Sequence, residues 1–250
     1  MFDYSKALEI QKTNSQKNPN LTYLSWLYSQ INENLESTRN LLEIGAGAGL
    51  SENFLGKIEI LRTDLLSWEN NSVLGNIDGG NLPFQNNEFS GVFAIDVLHH
   101  TNSPYRVIDE CLRVLGNNKK FVIIEPYVSY FSYAIYKIFH HEETSWNVDL
   151  GAIRERNEEI FNGDQGMSRI LFKTKKNCQI LKQQLKNDFD IQIKYLSPLS
   201  FFATGGLSKP LRTPKFIISG LIQTEKMIPQ IVMKHIASRI LVVLTKRENK

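Results

Sequence analysis

Apolar residues recur every three or four positions between residues 20 and 37, so that Leu21, Leu24, Leu27, Tyr28, Ile31 and Leu35 share one face of a predicted amphipathic helix. The pattern then changes. RNLLEIGAG reads as a strand that ends at Ile44 and runs into glycines, and LSENFLGK as a short helix with Ser51 near its start. IEILRTDL predicts a second strand ending at Asp64, and SVLGNID a short further strand closed by Asp78. Val92 to Ile95 form an unbroken apolar run, the mark of a strand buried on both faces, which stops at Asp96. SPYRVIDECLRVLG has helical spacing and ends on Gly116, and KKFVIIEP is a buried strand ended by Pro126. Strands alternating with helices over residues 40–126 argue a mostly parallel sheet covered on both faces.

Beyond residue 126 the pattern is less regular. YVSYFSYAIYKIF predicts an aromatic helix, and FDIQIKYLS and SRILVVLTKR predict strands. The stretch between them, Lys215 to Ile236, reads as two helices broken at Pro229, with Ile217, Ile218, Leu221, Ile222, Ile228, Ile231 and Val232 on one side and Lys226, Lys234 and Arg239 nearby. Such a face covers the sheet, forms a dimer contact or lies on a membrane surface. No Gly, Ser or Pro linker and no internal repeat divides the chain. One domain over residues 1–250 is expected, with core motifs at 40–126 and insertions at about 127–185 and 197–236.

Composition narrows the class. With 42% hydrophobic and 22% charged residues in 250, the chain has the profile of a globular protein with one sizeable core. Its 29 Lys and Arg against 26 Asp and Glu are interspersed, so a net charge of +3 gives no case for nucleic acid. Cys111 and Cys178, in helical contexts without metal-type spacing, fit a reducing compartment. The N-terminal segment lacks the apolar core and cleavage site of a secretory signal, and no run of about 18 apolar residues exists to span a bilayer. A cytoplasmic protein is the expectation.

The glycines of LLEIGAGAGL raise the chemical question. Gly45, Gly47 and Gly49 are spaced G-x-G-x-G, one residue shorter than the dinucleotide fingerprint. Asp64 follows Gly45 by nineteen positions, at a strand end where a carboxylate can accept hydrogen bonds from both hydroxyls of a ribose. Taken alone, Gly47 and Gly49 would serve a tight turn, and Asp64 or Asp96 would cap a helix or form a turn. The ligand suggested has a ribose and donors for carboxylates, while nothing obvious in the segment neutralises a pyrophosphate.

LLEIGAGAGL, the acid ending the second strand, IDGGNLPFQNNEFSGVFAIDVLHH and CLRVLGNNKKFVIIEP together resemble the class I S-adenosylmethionine (SAM) dependent methyltransferases, in the type 11 branch of small-molecule enzymes. The resemblance covers residues 40–126. It implies an α/β Rossmann-like fold with a mostly parallel seven-stranded sheet, and SAM as cofactor. It also implies that Glu43 orients the glycine loop or the methionine end, that Gly45, Gly47 and Gly49 make room for the ligand, and that Asp64 holds the ribose. Asp78 would accept from the adenine amino group, Leu82 would pack on the ring, and Asp96 would lie beside the methionine moiety. Gly79 and Gly80 depart from the pattern, where alanine or another acid is more frequent.

Methyl transfer from a sulfonium needs an aligned nucleophile, a dry site and, for a hydroxyl acceptor, a base. Candidates are His99 and His100 after the fourth predicted strand, and His140 and His141 before Glu142 and Glu143. Adjacent histidines seldom chelate one ion, so no metal is expected. Tyr127, Tyr130, Phe131 and Tyr133 would line an acceptor pocket or the core. EPYVSYFSYAIYKIFHHE resembles type 11 enzymes of surface polysaccharide or glycolipid modification, so the expected reaction is methylation, at oxygen, of a small-molecule, sugar or glycolipid acceptor. A SAM-binding protein without catalysis is the alternative. A nicotinamide-dependent oxidoreductase is disfavoured by the short glycine spacing and by the missing catalytic serine, although Tyr133 and Lys137 are spaced as its active-site pair.

Overall fold

The strands β1 (Leu41–Ile44), β2 (Ile60–Thr63), β3 (Gly91–Ile95), β4 (Lys120–Pro126), β5 (Phe189–Leu196) and β6 (Arg239–Lys246) form one sheet in the order β2-β1-β3-β4-β6-β5. The structure is a computed structural model that describes residues 4–35, 39–56, 58–67, 72–101, 103–139, 144, 146, 163–186 and 188–248. β2, β1, β3 and β4 run parallel, and β6 inserts antiparallel between β4 and β5. β1 is buried along its whole length and β4 from Phe121 onward, as expected of strands covered on both faces. The edge strand β5 alternates instead, turning Asp190, Gln192 and Lys194 outward.

The alternation of side chains across each strand divides the core in two. Leu42, Ile44, Val92, Ala94, Phe121 and Ile123 point to one face, where α4 (Pro104–Val114), α6 (Met167–Phe172), α7 (Lys175–Gln184) and α10 (Gln230–Ile236) contribute Ile108, Leu171, Leu181 and Met233. Leu41, Phe93, Val122 and Ile124 point to the other. There α1 (Tyr4–Ser15), α2 (Asn18–Asn34), α3 (Ser51–Leu55) and α9 (Lys215–Lys226) supply Leu8, Ile31, Leu55 and Ile218. The aromatic helix expected after β4 is α5 (Tyr130–Phe139), and α8 (Ser200–Thr204) follows β5.

Among the described residues the sheet has six strands, where seven were expected. The segment foreseen as the seventh, SVLGNID, meets the sheet only through an isolated parallel bridge of Leu74 to Thr63. Gly75 comes so near Ser67 that a Cβ on it would lie 2.6 Å from Ser67 Cα, and Asn76 turns to φ 59°. The chain leaves the pleat there after one pair of ladder bonds. The reading of residues 217–232 is also corrected: Ile218 and Ile222 are buried, whereas Ile217, Ile231 and Val232 are exposed. Ile217 and Ile218 are adjacent on a helix and so lie about 100° apart, which splits the expected face.

Lys246, at the end of β6, is 4% exposed and donates from Nζ to Leu115 O and Asn87 Oδ1, both at 2.7 Å. It satisfies a carbonyl at the exit of α4 that would otherwise be buried without a donor. Lys246→Met should therefore cost about 1–3 kcal/mol in urea unfolding, and a loss under about 0.5 kcal/mol would contradict this role.

Candidate functional site

Strand register brings the predicted residues to one edge. Ile44 pairs with Thr63 on one side and Ala94 on the other, so Gly45, Asp64 and Ile95 stand side by side at the C-terminal ends of the parallel strands. Gly45, Gly47 and Gly49 all have positive φ (64°, 49° and 70°), which explains why glycine is used at each. A Cβ on Gly45 would lie 2.6 Å from Val97 Cγ2, but one on Gly47 would meet nothing nearer than Leu8 Cδ2 at 3.7 Å. Asp64 clamps this turn: Gly47 N donates to Oδ2 (2.8 Å) and Leu66 N to Oδ1 (2.9 Å). A carboxylate has about four acceptor positions, so each oxygen keeps one for a ligand hydroxyl.

Glu43 lies one step inside the edge and is buried. Its Oε2 accepts from Ser51 Oγ, which begins α3, and Arg62 Nε donates to the same Ser51 Oγ at 2.7 Å. Burial is the main cause that pushes the Glu43 carboxyl up to about 7, against the opposing effects of Ser51 and Arg62. Its reach is to the helix after the glycine turn. Asp78 is exposed, with Oδ1 accepting from Gly80 N at 2.8 Å, while Gly79 packs near Ile44. Leu82 is buried in the core with its N–H on Glu110 (2.9 Å), beneath this rim.

Asp96 sits past the end of β3 at φ 58° and is paired with Arg239 Nη1 at the start of β6. Burial works to raise the Asp96 carboxyl, but Arg239 and the imidazoles of His99 and His100 outweigh it and hold the group below its ordinary range. Arg239 is 5% exposed, lies 4.4 Å from the centroid of the Phe201 ring and has no hydrogen-bond partner on Nε. This places it inside the protein, away from the surface face on which the sequence pattern set it. Two tyrosines close the wall: Tyr23 OH meets Ser197 Oγ at 2.8 Å, and Tyr136 OH donates to Ser238 O at 2.8 Å. Burial pushes the Tyr23 phenol up to about 12 and Tyr136 up as well. Both stay protonated near neutral pH.

The histidine pair occupies a 3₁₀ turn, Leu98–His100, next to Asp96. His99 is buried, its Nδ1 2.6 Å from Glu125 Oε2, and Glu125 also accepts from Val97 N (2.8 Å) and Leu98 N (2.7 Å). Glu125 thus fixes both the turn and the ring. His100 is half-buried, with its ring 4.0 Å from that of His99. Gly163 packs on both rings, since a Cβ there would lie 2.6 Å from His99 Cδ2 and 2.8 Å from His100 Nδ1. From Gly163 the chain enters α6, whose Arg169 is 4% exposed, donates to Val128 O at 2.6 Å and lies over the Trp146 ring at 3.8 Å. Tyr130 packs tilted and Tyr133 edge-on against Trp146 (5.0 and 5.2 Å), and Lys137 Nζ rests over the Tyr133 ring at 5.0 Å. Tyr127 is core. His140 and His141 lie outside the described residues, among which no His, Cys, Asp and Glu cluster could hold a metal ion.

Sequence reasoning missed Leu8, Tyr23, Glu125, Arg169 and Arg239 as parts of this edge. One signal was present for two of them: Glu125 and Arg239 are charged residues at the ends of otherwise apolar strands.

Comparison with known proteins agrees with this arrangement. Residues 42–123 match a family model described as a methyltransferase domain. The fold is that of the SAM-dependent methyltransferases. It superposes on phosphoethanolamine N-methyltransferase 2 of Haemonchus contortus with a TM-score of 0.53 and 13% identity over 99% of this chain, which spans 61% of that protein. A SAM-dependent methyltransferase of Archaeoglobus fulgidus gives a TM-score of 0.53 at 11% identity, covering 90% of this chain and 93% of the other. A SAM-dependent methyltransferase of Thermotoga maritima gives 0.52 at 15% identity, covering 90% and 89%. No curated protein sequence matches the chain.

Two outcomes follow for the turn. Glu43 takes its proton more tightly when folded (about 7 against 4.5), so its contribution to stability is complete below the unfolded value and is lost as pH rises toward the folded one. The loss amounts to about 3 kcal/mol at most. Glu43→Gln should flatten the fall in melting stability between about pH 5 and about pH 8, and an unchanged slope would refute the buried-carboxyl account. Gly45→Ala should cost about 1–3 kcal/mol through Val97 and its positive φ, whereas Gly47→Ala, whose Cβ would make only ordinary contact with Leu8, should cost about 1 kcal/mol, both read by urea unfolding.

Proposed function

We propose that this chain binds SAM across the Gly45–Gly49 turn and transfers a methyl group to the oxygen of a small-molecule, sugar or glycolipid acceptor. The reading takes residues 1–250 as one domain working in the cytoplasm. The observation that carries it is the convergence of the glycine turn, Asp64 and Asp96 on one sheet edge within the segment that matches a methyltransferase domain. The residues fit the cofactor: the turn carries no side chain at Gly47, and Asp64 keeps acceptor capacity on both oxygens.

SAM, when bound, supplies a methyl group already activated for displacement. The chain's residues do the rest. Glu43 orients the turn through Ser51, Asp64 receives the ribose hydroxyls, and Asp78 at the rim is available to the adenine amino group. Asp96, kept ionised by Arg239, suits the ammonium of the methionine end. Tyr23, Tyr136 and Phe201 exclude water from its far side. Near Asp96, His100 is the base that takes the hydroxyl proton, and His99 is the positioning residue held by Glu125. His140 and His141 are further candidates for the base in this reading.

Labelled SAM supplied with fractionated sugar and glycolipid extracts should yield S-adenosylhomocysteine and a methylated product. His100→Ala should slow transfer about 100-fold without changing SAM affinity. Retention of SAM with no turnover in any fraction would instead support a binding protein that performs no transfer.

A further inference from the structure

Arg169 is a buried cation that no acid answers. It is 4% exposed, yet among the described residues no carboxylate pairs with it, and its Nη2 has no hydrogen-bond partner. Its neighbours are neutral. Nη1 donates to Val128 O at 2.6 Å, the Tyr127 phenol lies beside the guanidinium, and the Trp146 and Tyr130 ring centroids stand 3.8 and 5.9 Å from Cζ. A guanidinium has five N–H donors, so a carbonyl and a phenol leave most of them unused.

Lys173, one helical turn further along the chain, adds a second cation. Its Nζ lies 5.9 Å from the same Trp146 centroid, and desolvation together with the Arg169 charge holds its ammonium below the ordinary range. Lys173 and Tyr130 are exposed, so the cluster reaches the surface. Placing an unpaired charge inside a protein is unfavourable, and a second cation four residues away adds repulsion. Cation–π contacts offset part of that cost, but a ring has no net charge and leaves both positive charges uncancelled. A structural pin between α6 and the end of β4 accounts for Nη1 and Val128 O. It does not account for the idle Nη2 or for Lys173.

We propose that Arg169 and Lys173 form a subsite for a phosphate monoester carried by the methyl acceptor. Such a group has about two negative charges at neutral pH and three acceptor oxygens, which match a guanidinium and an ammonium held together. The subsite hangs from the same strand end as the histidine turn. Glu125 holds His99, Pro126 O accepts from Ser168 Oγ, and Val128 O accepts from Arg169. A phosphate on Arg169 would therefore anchor the acceptor at the edge where His100 stands. That the bound phosphate belongs to the methyl acceptor rests on the methyl-transfer reading; the anion subsite does not.

Calorimetric titration of the full chain with inorganic phosphate, glucose 1-phosphate and dihexanoyl phosphatidic acid tests it, with glucose and glucuronate as controls. A phosphate monoester should bind with a Kd of about millimolar order or tighter, glucose should not bind, and glucuronate should bind about tenfold more weakly. Tighter binding of glucose 1-phosphate assigns a sugar phosphate, and tighter binding of the phosphatidic acid a lipid phosphate. Arg169→Gln should weaken phosphate binding about tenfold or more and Lys173→Gln about threefold, with SAM affinity unchanged in both. Lys173 is exposed, so Lys173→Gln should melt like the wild type and carries the test if Arg169→Gln does not fold. No binding of any of the three phosphates, glucuronate bound as tightly as they are, or undiminished phosphate affinity in Lys173→Gln would overturn the inference. Phosphate binding without SAM binding would sink the methyl-transfer reading alone; SAM binding without phosphate binding would sink the subsite alone.

Discussion

The Asp64 carboxylate, pinned between the N–H groups of Gly47 and Leu66, is the contact from which the rest of the site follows. It ties the turn after β1 to the turn after β2, so the two loops have one shared conformation. The device recurs along the same edge. Glu125 receives Val97 and Leu98 N–H, and Glu225 receives those of Leu199 and Ser200. In each case a buried carboxylate replaces its lost hydration with backbone donors, which are strong partners for a charge and fix the loop that supplies them. The loops that would handle a ligand are thereby held by the sheet.

Two polar pairs stand one turn apart at this edge, Asp96 with Arg239 and His99 Nδ1 with Glu125 Oε2. Around them Tyr23 comes from α2, Tyr136 from α5 and Phe201 from α8, three segments far apart in the chain. Their rings lower the local dielectric and so strengthen the Asp96–Arg239 pair. A transfer reaction gains from such a wall, because water that cannot enter cannot compete for the methyl group or solvate the nucleophile.

What could be read from the sequence was local. Strand-like segments ending in Asp64 and Asp96 were legible with their carboxylates, because strand length and the acid at its end are properties of neighbouring residues. Arg239 was unreadable as a site residue, since its partner Asp96 is 143 positions away and only the antiparallel insertion of β6 brings them together. Arg169 and Glu125 depend likewise on how α6 and β4 meet the histidine turn. Asp64 was readable as a ligand residue or a cap, and its carboxylate does hold backbone N–H groups while retaining capacity for more. That SVLGNID meets the sheet through a single bridge turned on Gly75 and Asn76, whose conformations the apolar pattern does not encode.

The central claim is that the glycine turn and Asp64 form a SAM site. Calorimetric titration of the purified chain with SAM, with NADH as the control ligand and Asp64→Ala as the control protein, tests it most directly. The account predicts SAM binding with a Kd of about micromolar order, no binding of NADH, and affinity for SAM lowered about tenfold or more in Asp64→Ala. A folded wild-type chain that binds no SAM would contradict it.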